Sequence, residues 1–402
     1  MLSRQNRFVG VFFAVLLSIT QPAFAKDRAR DLGVPFLGET GPLNTITDVS
    51  GVEVGHATIV DGSGKLIRGK GPVRTGVTAV HPRGKDSLSP VFGSWFTLNA
   101  SGEMTGTTWL DERGLIDGPV MITNTHSVGV VRDASVEWMV DKGWPADWHA
   151  PIVAETYDGR LNDINGFHVT KQHALKAMRD ATAGPVTEGA VGGGTGMICN
   201  RFKGGIGTSS RIVRTENKEV TIGVLVQCNY GRRDALKQIA GVPVDALQDV
   251  ALPCYRTAEL KPNTTGSFGV CEASDAEDQD QPDGSIIVIV ATDAPLLPHQ
   301  LKRIAKRPSL ALGRLGATSG DGSGDIFLAF STAFEGQLRE NNVSEDLAMY
   351  PNDRLTPLFE ATIQATEEAI VNAMVAADTM TGANDFTVFE LPEDTLRDIM
   401  SK

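Results

Sequence analysis

Residues 271–291 read CEASDAEDQDQPDGSIIVIVA. Six acids fall between Glu272 and Asp283, a composition that stays solvated and builds no core. Within two residues the chain turns into Ile286-Ile287-Val288-Ile289-Val290. A strand covered on one face alternates apolar with polar residues, so a run without polar positions reads as a strand buried on both faces. The seam between the two regimes is Gly284-Ser285. One reading is plain punctuation, with Gly ending a linker and Ser opening a strand. The other is that the chain is cut here and Ser285 becomes a new amino terminus with catalytic duties.

Working outward, residues 1–25 have the anatomy of a secretory leader. Arg4 and Arg7 form the basic flank, Val9 to Ile19 the apolar run, and Ala23-Phe24-Ala25 the cleavage box. The run is too short for a transmembrane helix; the competing reading is a membrane-anchored amino terminus. The expectation is an exported, periplasmic protein beginning near Lys26. The whole chain of 402 residues carries a net charge of −12, which makes nucleic acid or anionic lipid a poor partner. Its length allows two or three average domains or one large layered one. The four cysteines, Cys199, Cys228, Cys254 and Cys271, show no CxxC spacing. Cys254 and Cys271 flank a loop and can pair after export, but free buried thiols are the favoured expectation.

Residues 26–50 look like an extended arm. Short β-type runs, VEVGHATIV and GVTAVHP, follow between Val52 and Pro82, and another strand is expected at 120–123. Asp133 to Val140 reads as a helix capped by Asp133, with Val136, Met139 and Val140 inward. Pro151 to Ala154 is a short strand candidate. Val169 to Ala181 reads as an amphipathic helix, Pro298 to Lys306 as a Pro-started one, and Thr356 to about Asp378 as the strongest helix of the chain. Strands are expected at 285–291 and 326–331. No repeat of 20–50 residues emerges. Strands and helices mix without βαβ rhythm, so a layered α+β sandwich, helices outside and sheets inside, fits best.

Several chemistries compete. GGGTG at Gly192–Gly196 lacks the Lys-Ser/Thr of a phosphate loop, and a backbone turn approaching another strand is the better reading. His168 and His173 lie five apart, wrong for one helix face, and no metal motif is present, so neither metal nor cofactor is expected. A pair of glycosidase-type carboxylates stays open. Gly322-Ser323-Gly324 misses the spacing of a nucleophile elbow, yet Ser323 and Asp325 sit two apart, pointing the same way on an extended chain. A cut at Gly284-Ser285 would give Ser285 both a hydroxyl and an α-amine, and an unperturbed amine pKa of about 7.7–8.0 lets it accept a proton near neutrality. The acidic linker would then be an exposed tether, dispensable once broken.

Several longer stretches carry a resemblance: ITDVSGVEVGHATIV, AETYDGRLNDINGFHVT, VGGGTGMICNRFKGGIGTSSR, GSIIVIVATDAPLLPHQLKRIAKR and QATEEAIVNAMVAADTMTGA. Together they resemble the self-processing serine aminopeptidases, which include the L-aminopeptidase/D-amidase-esterase and the β-peptidyl aminopeptidases. The resemblance implies a four-layer αββα sandwich like that of N-terminal-nucleophile hydrolases, with different connectivity. It implies autocleavage at Gly284-Ser285 into an α chain, 26–284, and a β chain, 285–402, with 272–283 as the acidic linker. It gives Ser285 as nucleophile, Ser323 and Asp325 as its hydrogen-bonding companions, and Asn229 as a donor in the oxyanion hole. It gives Glu155 as the carboxylate that receives the substrate ammonium, with Tyr157 pointing into the same site. It further implies short peptide, amide or ester substrates with a free amine, and a homo-oligomer, a tetramer of αβ units. Gly before the nucleophile, Tyr157 and Ser-Gly-Asp resemble the L/D-aminopeptidase branch. A preference for N-terminal β-amino residues is the alternative within the class, and a non-catalytic binding module the alternative outside it. Cys228 and Tyr230, either side of Asn229, depart from the family pattern.

Overall fold

The computed structural model describes residues 26–214, 218–262, 268–271, 284–338, 344 and 346–402. The expected leader, 1–25, and the acidic linker, 272–283, lie outside the described residues. The long strands are β1 (Glu53–Asp61), β2 (Val73–His81), β3 (Val91–Ala100), β4 (Val120–Asn124) and β5 (Ile152–Thr156). They continue with β6 (Gly205–Arg214), β7 (Glu219–Tyr230), β8 (Gly284–Thr292) and β9 (Gly324–Ser331). The helices that matter for the layers are α1 (Val128–Lys142), α2 (Lys171–Arg179), α3 (Pro298–Ala305) and α4 (Thr356–Val375).

One sheet has the order β1-β2-β4-β5. The other runs from the short strand Leu115–Ile116 through β3, β9, β8 and β7 to β6. Alternate residues of β8 show how the sheets stack. Ile287, Ile289 and Ala291 join Val54, Val80, Ile122 and Ile152 of the first sheet in one apolar cluster. Ile286, Val288 and Val290 face the other way, packing with Leu301 and Ile304 of α3 and Ile370 and Met374 of α4. A third cluster joins Val77, Met121 and Val153 to Val131 and Trp138 of α1 and Leu175 and Met178 of α2. The layers are therefore α1/α2, sheet, sheet, α3/α4, as expected. Every residue of the apolar run is buried because sheet lies on one side and helix on the other.

Local expectations fared unevenly. Helix α1 begins at Val128, five residues before Asp133, so Asp133 is an exposed interior position rather than a cap. Its buried face is Val131, Ala134, Ser135, Trp138 and Met139, while Val140 is exposed. Val128 and Val131 carry a local β preference, but they pack on the first sheet as the opening turn of the helix, and that packing outweighs the preference. Helix α4 stops at Val375, short of Asp378. The arm at 26–50 is not simply extended: Leu32, Val34 and Ile46 are buried, and Arg28 pairs with Glu188. The favoured expectation of free thiols is overturned. Cys199 bonds Cys228 and Cys254 bonds Cys271. The first pair lies 29 residues apart, brought together only because a hairpin, Ile198–Cys199 with Phe202–Lys203, folds back on β7. The glycines of GGGTG form a buried turn wedged between β1, β2 and β6. A Cβ on Gly192 would stand 2.4 Å from the Thr78 hydroxyl, so close backbone approach explains the motif.

Candidate active site

Strand order places the seam of the sequence at the centre of the second sheet. Ser285 faces Asn229 across the antiparallel β7–β8 ladder and Gly324 across the parallel β8–β9 ladder. Its hydroxyl accepts a hydrogen bond of 3.1 Å from the Gly324 N–H. The Ser323 hydroxyl donates to Asp325 Oδ1 at 2.7 Å, and both residues are buried. Gly284 has φ +72°, and a Cβ there would stand 2.0 Å from the Asn229 carbonyl oxygen. Only glycine fits this left-handed, crowded position, whatever else happens at the bond that follows.

Asn229 is held at both ends of its amide. The Ile198 N–H donates to its Oδ1 at 2.8 Å, and its Nδ2 donates to the Tyr157 carbonyl at 2.9 Å. The nitrogen carries a second hydrogen, and the side chain lines the cavity described below. The departures flanking Asn229 have structural reasons. Cys228 is disulfide-bonded to Cys199, and Tyr230 is buried, which pushes its phenol well above the ordinary range. Both neighbours brace the strand that carries Asn229.

Glu155 comes from the other sheet, on β5 opposite Thr123 of β4. Its Oε1 accepts the Glu103 N–H at 2.9 Å and its Oε2 accepts the Thr125 hydroxyl. Burial raises its pKa above the ordinary carboxylate value, and the bonds from Thr125 and Glu103 work against that rise. The loop beyond it turns on Asp158, fully buried and pushed up to about 6 by desolvation against hydrogen bonds from Thr75, Asn162 and Asn124. Tyr157 is half exposed.

One cavity of about 480 Å³ gathers these groups: Ser285, Gly284, Asn229, Glu155 and Tyr157 all line it. Ser323 and Asp325 stand behind Ser285 rather than in the lining. The structure adds lining residues that sequence reasoning passed over, namely Glu103, Thr125, Arg160, Arg201 and Phe268. Arg160 and Arg201 were within quoted motifs, AETYDGR and ICNRF, so a signal existed. Thr125 had none, since only the parallel β4–β5 pairing brings it to Glu155.

Two stacked sheets between helical layers are the architecture of the N-terminal-nucleophile hydrolase fold. Residues 44–388 match the profile of Peptidase family S58. The chain is 57% identical over 376 residues to the "Beta-peptidyl aminopeptidase BapA" of Sphingosinicella microcystinivorans, covering 93% of this chain and 92% of that one. It is 45% identical to the protein of the same name from Sphingosinicella xenopeptidilytica, over 96% of this chain and 94% of the other. Among solved structures, the L-aminopeptidase D-Ala-esterase/amidase from Ochrobactrum anthropi superposes with a TM-score of 0.80 at 43% identity, covering 93% and 98%. That protein is described as a prototype of the serine aminopeptidases with a variant of the Ntn hydrolase fold. The chain belongs to peptidase family S58 and is a serine aminopeptidase.

Proposed function

We propose that the protein is cut between Gly284 and Ser285 and uses the released Ser285 to remove a small amino-terminal residue from short peptides, amides and esters. One observation carries the reading: the Ser285 hydroxyl, the Asn229 amide and the Glu155 carboxylate, drawn from two different sheets, line a single cavity. In this mechanism Glu155 pairs with the substrate ammonium and fixes the scissile carbonyl over Ser285 Oγ. The α-amine of Ser285 takes the hydroxyl proton, with Ser323 as relay and Asp325 orienting Ser323. The second N–H of Asn229 and backbone N–H groups hold the oxyanion, each worth about 3 kcal/mol in the transition state. The leaving amine departs with the proton, and water hydrolyses the ester. Tyr157 packs beside the bound residue.

β-Amino residues are the favoured first residue, because the two relatives at 57% and 45% identity are named β-peptidyl aminopeptidases. The second reading is small L- or D-α-amino residues, favoured by the Gly284-Ser285 seam, Tyr157 and Ser323-Gly324-Asp325. Turnover of β-alanyl, L-alanyl and D-alanyl anilides separates the two. The leader at 1–25 makes export to the periplasm part of the proposal, and the cut αβ units are proposed to assemble as tetramers. No described helix is long and apolar enough to cross a membrane. Mass spectrometry of purified protein should show chains starting at Lys26 and at Ser285. S285A should stay uncut and inactive. An intact Gly284–Ser285 bond in fully active enzyme would refute the mechanism.

A further inference from the structure

The cavity lining carries two acidic residues, Glu103 and Glu155, and two basic ones, Arg160 and Arg201. Glu155 is bonded to the backbone of Glu103, just past the end of β3, two strands from Ser285 on one side. Arg201 sits on the hairpin tied to β7, the neighbouring strand on the other side, and Arg160 joins it in the lining. The two guanidinium carbons lie 5.2 and 5.6 Å from the centroid of the Phe268 ring, within the range for attraction to an aromatic face. Arranged around one ring, two planar forks suit a planar anion better than a lysine pair would.

The presentation of Arg201 is over-determined. Asn200 and Arg201 both have positive φ, 46° and 60°, a conformation that non-glycine residues hold only when their surroundings enforce it. Here Arg233 donates to the Asn200 and Arg201 carbonyls, at 3.1 and 2.8 Å, and the Asn200 N–H donates to the Tyr230 carbonyl at 2.7 Å. The Cys199–Cys228 disulfide ties the same hairpin to β7. Phe268 is braced in turn by the Cys254–Cys271 disulfide and by the Tyr255 N–H bonded to the Gly269 carbonyl. The two disulfides thus tie down the segments that carry Arg201 and Phe268.

We propose that Arg160 and Arg201 bind a carboxylate on the leaving side of the substrate, so that the enzyme selects dipeptides and other short zwitterionic peptides with a free carboxyl-terminal group. This rests on the reading of Ser285 and Glu155 above. The ammonium lies at Glu155 and the carboxylate at the arginines, with the scissile amide between them over Ser285. Attack forms the Ser285 Oγ–C bond and breaks the C–N bond. The hydroxyl proton leaves on the new amine, and the departing amino acid stays held by its carboxylate until the ester is hydrolysed. A cavity of about 480 Å³ lies in the range for small ligands.

The test compares β-alanyl-L-alanine and L-alanyl-L-alanine with their carboxyl-terminal amides on the processed wild-type enzyme, with the matching p-nitroanilides as reference. The free acids should be turned over roughly 10- to 100-fold faster in kcat/KM than the amides, the weight of one charge-assisted contact, mostly through KM. R160Q and R201Q should each bring that ratio toward one. Should a variant fail to fold, the wild-type acid-to-amide ratio alone decides. Anilide turnover with equal acid and amide rates overturns this inference and leaves the Ser285 reading standing. No turnover of any of these substrates, anilides included, overturns both.

Discussion

Burial shifts the titration of Glu155 upward. Desolvation raises its pKa, while the Thr125 hydroxyl and the Glu103 N–H favour the ionised form. Only the carboxylate attracts an ammonium, so kcat/KM for free-amine substrates should fall with decreasing pH through an acid limb above the ordinary glutamate range. Removing the Thr125 donor leaves desolvation less opposed. T125V should therefore move that limb to higher pH, and E155Q should abolish it along with most free-amine turnover; an unchanged limb in both variants would assign it to another group. Gly284 makes a second demand at this scale. A side chain there meets the Asn229 carbonyl and adopts left-handed φ, costing about 1–2 kcal/mol from the backbone alone. G284A should displace the first rung of the β7–β8 ladder and remain a single chain on denaturing gels. Two chains from G284A, as from wild type, would show that the geometry before Ser285 is not what the proposed scission requires.

Among the elements, strands β8 and β9 are legible in the sequence, but the order in which the strands of their sheet pair is not. Ile286 to Val290 announced burial on both faces because side chains alternate and no position was polar. That Asn229 and Gly324 flank Ser285 depends on strand order, a non-local property with no trace in the spacing of 229, 285 and 324. Resemblance supplied these positions where periodicity could not. Helix α1 is found where a helix is expected but starts five residues earlier, because Val128 and Val131 pack on the first sheet, a tertiary contact that local pattern does not carry. The cysteines were misjudged because pairing of Cys199 with Cys228 requires the hairpin that places them together. A thiol titration of denatured, unreduced protein should therefore find no reactive cysteine, and four would refute the pairing. Replacing Cys199 and Cys228 together by alanine should cost about 2–4 kcal/mol of stability, read as a lower urea midpoint, and should loosen both Asn229 and the Arg201 turn.

At the scale of the whole molecule, the candidate site bridges two sheets whose separation is fixed by a shared apolar layer. Glu155 stands on one sheet and Ser285 on the other, and the cluster around Ile287, Ile289 and Ile122 sets their distance. The outer face of the second sheet is closed by an ion network. Glu368 of α4 accepts from Arg211 of β6 at 2.7 Å, from Arg30 of the arm at 2.9 Å and from Asn44 at 2.6 Å. Burial acts to raise Glu368, but Arg211 and Arg30 outweigh it and hold its pKa below the usual value. A carboxyl whose folded pKa is depressed contributes stability above its unfolded pKa of about 4.3 and loses it as pH falls through the folded value. Acid unfolding should thus include a Glu368-dependent component below about pH 4.3. Arg211 is only 1% exposed, so removing its partner strands a buried cation. E368A should cost about 3–5 kcal/mol at neutral pH, read as a lowered denaturant midpoint. It should also flatten the stability profile on the acid side. A profile that keeps its acid slope in E368A would place the titrating group elsewhere.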